Sequence, residues 1–327
     1  MSDVITLTPV ARRVPAPPRV IALGGGKGGA GRTLLAANLG IFLSQMGKKV
    51  VVVDASLGAS NLHTLFAVEP PPTNLADFLS GRVTQIEDVL RPLPGLTVKL
   101  VGGSAGLPSV PPKREAIVRF LEKLRGLDVD FILLDLESGS APHTLDFFLA
   151  ADLRVMVLIP ELTSVERNYQ FLASAFYREL FGPGLSSEEM VWSRRVFDRA
   201  QRESGGQPSP LDLSGELAQN DPSAASWVRR KLGRFRPYVL VNQARTTSDS
   251  RLLEGLRSVA RRRYGVAVEP LGPVELDDAA WLSVRRRRPL VLEYPDSPAT
   301  RTIGAIARRL VAAPAAGQVS AVALVGS

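Results

Sequence analysis

Cysteine is absent from this 327-residue chain, and histidine occurs only at His63 and His143. Without cysteine there is no disulfide framework, thiolate metal site or cysteine nucleophile. Two isolated histidines without carboxylates at ligand spacing give no basis for a transition-metal site held by the protein. The chain also lacks an unbroken apolar run of about eighteen residues, so no membrane-spanning helix is expected. No cationic stretch followed by an apolar core opens the sequence. The expected compartment is therefore the cytoplasm, with a peripheral position at a membrane or nucleoid as the alternative. What remains is 45% hydrophobic, ample for a sizeable core.

The most informative stretch is Gly24 to Thr33, G-G-G-K-G-G-A-G-R-T. It follows the apolar run Val20-Ile21-Ala22-Leu23 and opens a helical pattern from Leu34 to Met46. Strand, glycine loop and helix in that order suit a phosphate-binding loop. Glycines let backbone N–H groups turn inward onto phosphate oxygens, and the helix N-terminus adds partial positive charge. Gly26, Lys27, Gly28, Gly29, Ala30, Gly31, Arg32 and Thr33 are the expected nucleotide contacts, with the Thr33 hydroxyl on Mg²⁺.

Lys27-Gly28-Gly29-Ala30-Gly31-Arg32-Thr33 resembles the K-G-G-x-G-K-[ST] loop of the deviant Walker A ATPases of the MinD, ParA and FlhG kind. Lys27 falls on the signature lysine, whereas Arg32 replaces the second lysine. Val50 to Gly58, ending V-V-D-A-S-L-G, resembles the first switch. Asp54 matches a magnesium-side aspartate, Ser56 stands where the family has a catalytic aspartate, and Asn61 matches a polar position further on. Phe131 to Gly139 resembles the Walker B and second-switch element. The resemblance implies that Asp135 holds Mg²⁺ through water and that the Gly139 N–H senses the γ-phosphate. Glu137 is an unusual carboxylate there, either solvated or a partial substitute for the missing aspartate. Ile159 to Ser164 resembles a P-E-P-T-S turn, with Thr163 or Ser164 as the helix N-cap. Val239 to Gln243 resembles a strand whose terminal Asn242 contacts adenine, and Gly272 to Glu275 resembles the end of such domains.

The implied fold class is α/β, a doubly wound, mostly parallel sheet of the MinD/ParA P-loop kind with a helical insertion. Residues 1–18 are expected to be a flexible tail, 19–312 the nucleotide-binding domain, and 313–327 a second flexible tail. The insertion at about 182–235 is marked by Gly182-Pro183-Gly184, Gly205-Gly206 and Pro208-Ser209-Pro210. It reads either as a lid or partner surface or as a loosely ordered excursion. The N-terminal tail lacks the D-Q-A-x-x-L-R pattern that often opens the flagellar members, an expectation against that role. The C-terminal tail is not a basic amphipathic helix of the kind that tethers MinD to membranes.

The net charge is +8, and from Arg236 onward there are 14 arginines against 8 acids. Half of those arginines lie in Arg261–Arg263 and Arg285–Arg288. These clusters are candidate surfaces for non-specific DNA or an anionic membrane. The alternative is a solvated helix end, since cations favour helix C-termini.

The family likeness implies an ATP-dependent homodimer in which Lys27 reaches the partner's nucleotide, and an unidentified protein partner that reads the state. Assigned catalytic positions are Lys27, the degenerate Ser56 and, more speculatively, Glu137; the metal positions are Thr33, Asp54 and Asp135. Arginine is planar and bulkier than an ammonium, and serine is no base near neutral pH. Losing a general base typically costs roughly 10²–10⁴ in rate. Three readings follow: an ATP-binding switch with impaired hydrolysis, an active ATPase using Arg32 and Glu137, or a scaffold that no longer binds nucleotide.

Overall fold

The computed structural model describes residues 17–58, 60–104, 106, 111–182, 185–203 and 210–314. The two expected tails lie almost wholly outside the described residues, as do Pro183, Gly184, Gly205, Gly206, Pro208 and Ser209.

The first half runs β1 (Arg19–Gly24), α1 (Arg32–Gln45), β2 (Val50–Ala55), α2 (Leu62–Leu65), α3 (Leu75–Leu79), β3 (Leu90–Pro92), β4 (Val98–Val101), α4 (Arg114–Arg125) and β5 (Phe131–Leu136). It continues with α5 (Pro142–Ala150), β6 (Leu153–Leu158), α6 (Leu162–Phe181), α7 (Ser187–Glu203), α8 (Pro210–Asn220) and α9 (Pro222–Arg234). The last part is β7 (Tyr238–Ala244), α10 (Thr247–Val259), β8 (Glu269–Glu275), α11 (Asp278–Arg285), α12 (Leu290–Glu293) and α13 (Pro298–Ala312). The strands form one eight-stranded sheet in the order β3-β4-β2-β5-β1-β6-β7-β8. Only the β3–β4 pair at one edge is antiparallel.

Alternation along the central strands explains why both faces are covered. Val20 and Ala22 of β1, Val51 and Val53 of β2, and Ile132 and Leu134 of β5 enter one core. Their neighbours Ile21, Leu23, Val50, Val52 and Leu133 enter the other. Strands buried on both faces read as continuous apolar runs, the sequence pattern of a parallel sheet between helical layers. Phe120, Phe147, Phe148, Phe171 and Phe176 fill the first core from α4, α5 and α6. Leu35, Leu39 and Leu43 of α1 meet Ile303, Ile306 and Leu310 of α13 in the second.

The pairing places the chemistry. β2 and β5 run in register, so Asp54 stands beside Asp135 at their C-terminal ends. β1 pairs Leu23 with Asp135, which brings the glycine loop over the same point. Ligands of open α/β sheets bind at this edge, where the strand order reverses.

Between α6 and β7 stand α7, α8 and α9. Val196, Leu217, Trp227 and Val228 of these helices join the core on the α6 side. Lys231 ties α9 to Glu179 of α6 at 3.6 Å and to Glu189 of α7 at 2.9 Å. The described part is thus a packed layer and not an excursion into solvent.

Asn38 fastens α12 to the loop-bearing helix. It is buried, donates to the Leu34 carbonyl at 2.7 Å, and accepts from the Val291 N–H at 2.9 Å. Asn38→Ala leaves that N–H without its acceptor, which costs roughly 1–3 kcal/mol. Urea unfolding should show a lower midpoint with an unchanged slope; an unchanged midpoint contradicts this account of α12.

Candidate functional site

Gly29 and Gly31 adopt left-handed φ values of 76° and 81°. At Gly31 a Cβ would also meet Asn242 Nδ2 at 2.3 Å, and at Gly26 it would meet the Arg167 carbonyl oxygen at 2.0 Å. Gly29 is therefore required by backbone conformation, Gly26 by close approach and Gly31 by both. Gly31 caps α1 without any side-chain hydrogen bond. Gly31 offers the first-turn N–H groups of α1 no side-chain acceptor, which suits an anion site at a helix N-terminus.

Arg32 does not project from the loop. Its side chain is buried, with Nε donating to the Leu136 carbonyl at 3.1 Å and Nη1 to the Lys27 carbonyl at 2.8 Å. The guanidinium thus laces the glycine loop to the end of β5. Burial lowers its pKa, and the Asp135 charge opposes that shift. Lys27 turns outward onto the carboxylate of Glu161 and, at 3.0 Å, the hydroxyl of Thr163. The loop is held from outside by three amides. Asn168 Oδ1 accepts from Gly26 N–H at 3.4 Å, Asn242 Nδ2 donates to the Ala30 carbonyl at 2.9 Å, and Gln243 Nε2 donates to the Gly29 carbonyl at 3.3 Å. Asn242, expected at an adenine ring, is placed against the loop itself.

The α6 N-cap differs from expectation. The helix starts at Leu162 with Glu161 as its cap, so neither Thr163 nor Ser164 caps it. Thr163 accepts from Lys27 instead, and the Ser164 hydroxyl accepts from Ile159 N–H at 3.2 Å. Both positions lie inside the first helical turn, where their hydroxyls serve the lysine and the preceding strand.

Asp54 is buried and satisfied by its own switch loop. Oδ2 accepts from the Ser60 hydroxyl at 2.8 Å and from the Asn61 and Leu62 N–H groups at 3.0 Å, while Oδ1 accepts from Ser56 N–H at 3.1 Å. Asp135 is the opposite case. It is buried, and neither carboxylate oxygen has a hydrogen bond of normal geometry among the described residues. Burial pushes its pKa up to about 7, the Asp54 charge adds to this, and Thr33 and Arg32 oppose it.

The Gly139 N–H donates to the Gly25 carbonyl at 3.1 Å, so the second switch lies on the glycine loop. Glu137 points away from the loop. Oε1 is bonded to His143 Nε2 at 2.5 Å and accepts from the Thr144 hydroxyl at 3.0 Å. His143, first among the causes, together with Thr144 and the Leu57 N–H, holds the carboxyl below its usual range against the effect of burial. Glu137 therefore joins the two switch loops to α5. Sequence reasoning assigned no site role to Glu161, Thr163, Asn168 or His143. Glu161 and Thr163 lay within a recognised motif, whereas Asn168 and His143 carried no local signal.

The donor set fits a magnesium ion. Among the described residues no group of three or more His, Asp or Glu could cage a metal. Mg²⁺ needs no such cage, since it keeps several waters and takes one or two carboxylates plus phosphate oxygens. The unpartnered Asp135 carboxylate beside Thr33 supplies that kind of position.

The two arginine clusters are less alike than their sequence suggests. Arg261, Arg262 and Arg263 lie exposed on a π-turn after α10. Arg285 stacks on Trp281 at 4.8 Å, and Arg286 and Arg288 both pair with Glu293, at 2.5 and 3.3 Å. No helix among the described residues is long and apolar enough to cross a membrane.

Asp135 carries a pH prediction. Its folded pKa of about 7 exceeds the ordinary 3.8, so ionisation opposes folding. The penalty is absent below about pH 4, grows as pH rises, and is complete above about pH 7. Asp135→Asn should therefore stabilise the nucleotide-free, magnesium-free protein at pH 8 by about 1–4 kcal/mol, and the gain should vanish near pH 4. Thermal unfolding at the two pH values measures this; equal stability at pH 8 contradicts the assignment.

Residues 21–290 match the family model described as the CobQ/CobB/MinD/ParA nucleotide binding domain. The antiactivator FleN of Pseudomonas aeruginosa is 25% identical over 299 residues, covering 90% of this chain and 86% of that protein. MinD in the MinC:MinD cell division protein complex of Aquifex aeolicus superposes with a TM-score of 0.60 at 22% identity, covering 90% of this chain and 96% of that one. The septum site-determining protein MinD of Pyrococcus horikoshii, complexed with Mg-ADP, gives 0.57 at 19% identity, with 90% and 96% covered. With the fold, the glycine loop and both switch strands in place, this chain belongs to the CobQ/CobB/MinD/ParA nucleotide-binding domain family.

Proposed function

We propose that the chain is an ATP-binding switch of the MinD/ParA kind, acting in positioning or regulation, with slow or absent hydrolysis. The observation that carries this reading is the combination at one strand edge of an α1 N-terminus without a side-chain cap, Thr33 and the unpartnered Asp135 carboxylate. Phosphates would sit on the loop N–H groups, and Thr33 and Asp135 would hold Mg²⁺, which neutralises phosphate charge when bound. Asp54, already holding three amides and the Ser60 hydroxyl, shapes the first switch and contributes charge to the metal position.

The site's own groups are bonded to one another. A γ-phosphate gains the Gly139 N–H only if that group leaves the Gly25 carbonyl. Lys27 reaches a second protomer only if it leaves Glu161 and Thr163. Both exchanges couple nucleotide to loop position and so to a surface that a partner can read. Hydrolysis lacks its base: Ser56 is buried without a carboxylate, and the Glu137 carboxylate is engaged with His143 and Thr144.

The nucleotide-free scaffold has one observation in its favour, the Arg32 guanidinium bonded to the loop's own Lys27 carbonyl. Equilibrium binding of Mg-ATP separates the two readings. For macromolecular partners, Glu293 removes much of the charge of Arg286 and Arg288. Arg261–Arg263 and Arg285 are therefore the positions proposed to meet DNA or an anionic membrane.

Light scattering in Mg-ATP should show an increase from monomer to dimer mass, abolished by Lys27→Ala. Binding without any change in mass rejects the dimeric switch, and no binding supports the scaffold. In single-turnover phosphate release, Arg32→Lys with Ser56→Asp should raise the rate by roughly 10²-fold or more, beyond the product of the single changes. An unmodified protein as fast as the double variant would show that Arg32 and Ser56 do not limit turnover.

A further inference from the structure

The sheet has a second concave edge, at the start of its strands. A cavity of about 700 Å³ is lined there by Leu153 and Arg154 of β6, Tyr238 of β7, Glu269 of β8, and Lys231, Arg234, Phe235 and Arg236 at the end of the inserted helices. It lies a strand's length from the glycine loop, about 20 Å for six residues. Its volume falls in the range that holds a small organic ligand.

The charges on its wall divide into spent and unspent. Asp152 accepts from Val20 N–H at 2.8 Å and pairs with Arg125 at 3.1 Å. Glu179 pairs with Lys231 at 3.6 Å, and Lys231 also holds Glu189 at 2.9 Å. Arg154 donates from Nη2 to the Leu149 carbonyl at 2.7 Å and lies over the Phe235 ring at 5.5 Å. Its Nε is buried and has no hydrogen-bond partner among the described residues. Among the described residues neither Arg154 nor Arg234 forms an ion pair, although the charges of Glu179 and Asp152 act on Arg154 from a distance. Arg236 spends its Nε on the Gly233 carbonyl at 3.1 Å. Against these cations stands Glu269, whose charge acts on the half-buried Tyr238 hydroxyl. The Arg154 guanidinium has more donors than its bond to Leu149 uses, and an oxygen anion takes up such donors in charge-assisted hydrogen bonds.

We propose that this cavity binds an organic anion, a carboxylate or phosphate carried on an apolar or aromatic body. The anion would meet the Arg154 guanidinium and the exposed charge of Arg234, and the body would lie against Leu153 and Tyr238. The proposal does not depend on nucleotide binding at the glycine loop. It gives the inserted helices a role, because α9 and the turn after it supply one wall.

Calorimetric titration of the full chain with 2-naphthoate and with 2-naphthyl phosphate, at low salt, tests it. One probe per chain should bind with a roughly millimolar or tighter Kd, and the stronger arm identifies the anion. Arg154→Gln, which keeps a donor for the Leu149 carbonyl, should weaken binding about tenfold or more. Arg234→Glu, at an exposed position, should weaken it severalfold and carries the comparison if Arg154→Gln unfolds. Excess Mg-ADP should not compete. No binding of either probe, affinity unchanged in a folded Arg154→Gln or in Arg234→Glu, or displacement by Mg-ADP would each overturn the proposal.

Discussion

Two carboxylates side by side in a dry sheet are the constraint around which this molecule is arranged. Register sets Asp54 against Asp135 at the ends of β2 and β5, and both are buried. Such a pair is tolerable only if each charge is compensated or lost. The protein treats them differently. Asp54 is wrapped by four donors from the loop that follows it, and Asp135 is left to a proton at neutral pH or to a cation. The proposed magnesium position rests on this difference, with one carboxylate preorganised and the other left for a cation.

Arg32 is the second organising element. A lysine at this point offers a single compact charge on a flexible stem; an arginine offers a planar set of donors. Here two of those donors meet main-chain carbonyls, of Lys27 within the loop and of Leu136 at the end of β5. The arginine supplies hydrogen bonds that hold the loop near the second switch, where Gly139 also bonds to Gly25. In the proposed reading, phosphate competes with these internal bonds.

Much of this was legible in the sequence, for identifiable reasons. The valine run before Asp54 and the apolar run before Asp135 are strands buried on both faces, and their composition says so directly. The glycine loop is legible because its conformation excludes side chains, as at Gly31 and Gly26. The family likeness supplied the order of the switches. What stayed hidden depends on long-range placement. Asn168 reaches Gly26 from the middle of α6, and Asn38 reaches Val291 across 253 positions. Neither has a local pattern. The direction of a side chain was equally illegible: Glu137 stands in the second switch but turns to His143, and Arg32 stands in the loop but turns inward. The capping of α6 was misread because Thr163 and Ser164 are good caps by type yet lie within the first turn.

If nucleotide enters at the glycine loop as proposed, it must disturb the second switch and the Arg32 side chain that is bonded to the loop. The most direct measurement is the ¹H–¹⁵N spectrum of the Arg32 Nε–H and the Gly139 amide during titration with Mg-ADP and then Mg-ATP. The account predicts that the Arg32 signal shifts with either nucleotide and that the Gly139 amide shifts further with ATP than with ADP. If both signals stay in place while nucleotide demonstrably binds, the loop is not the site and the account is wrong.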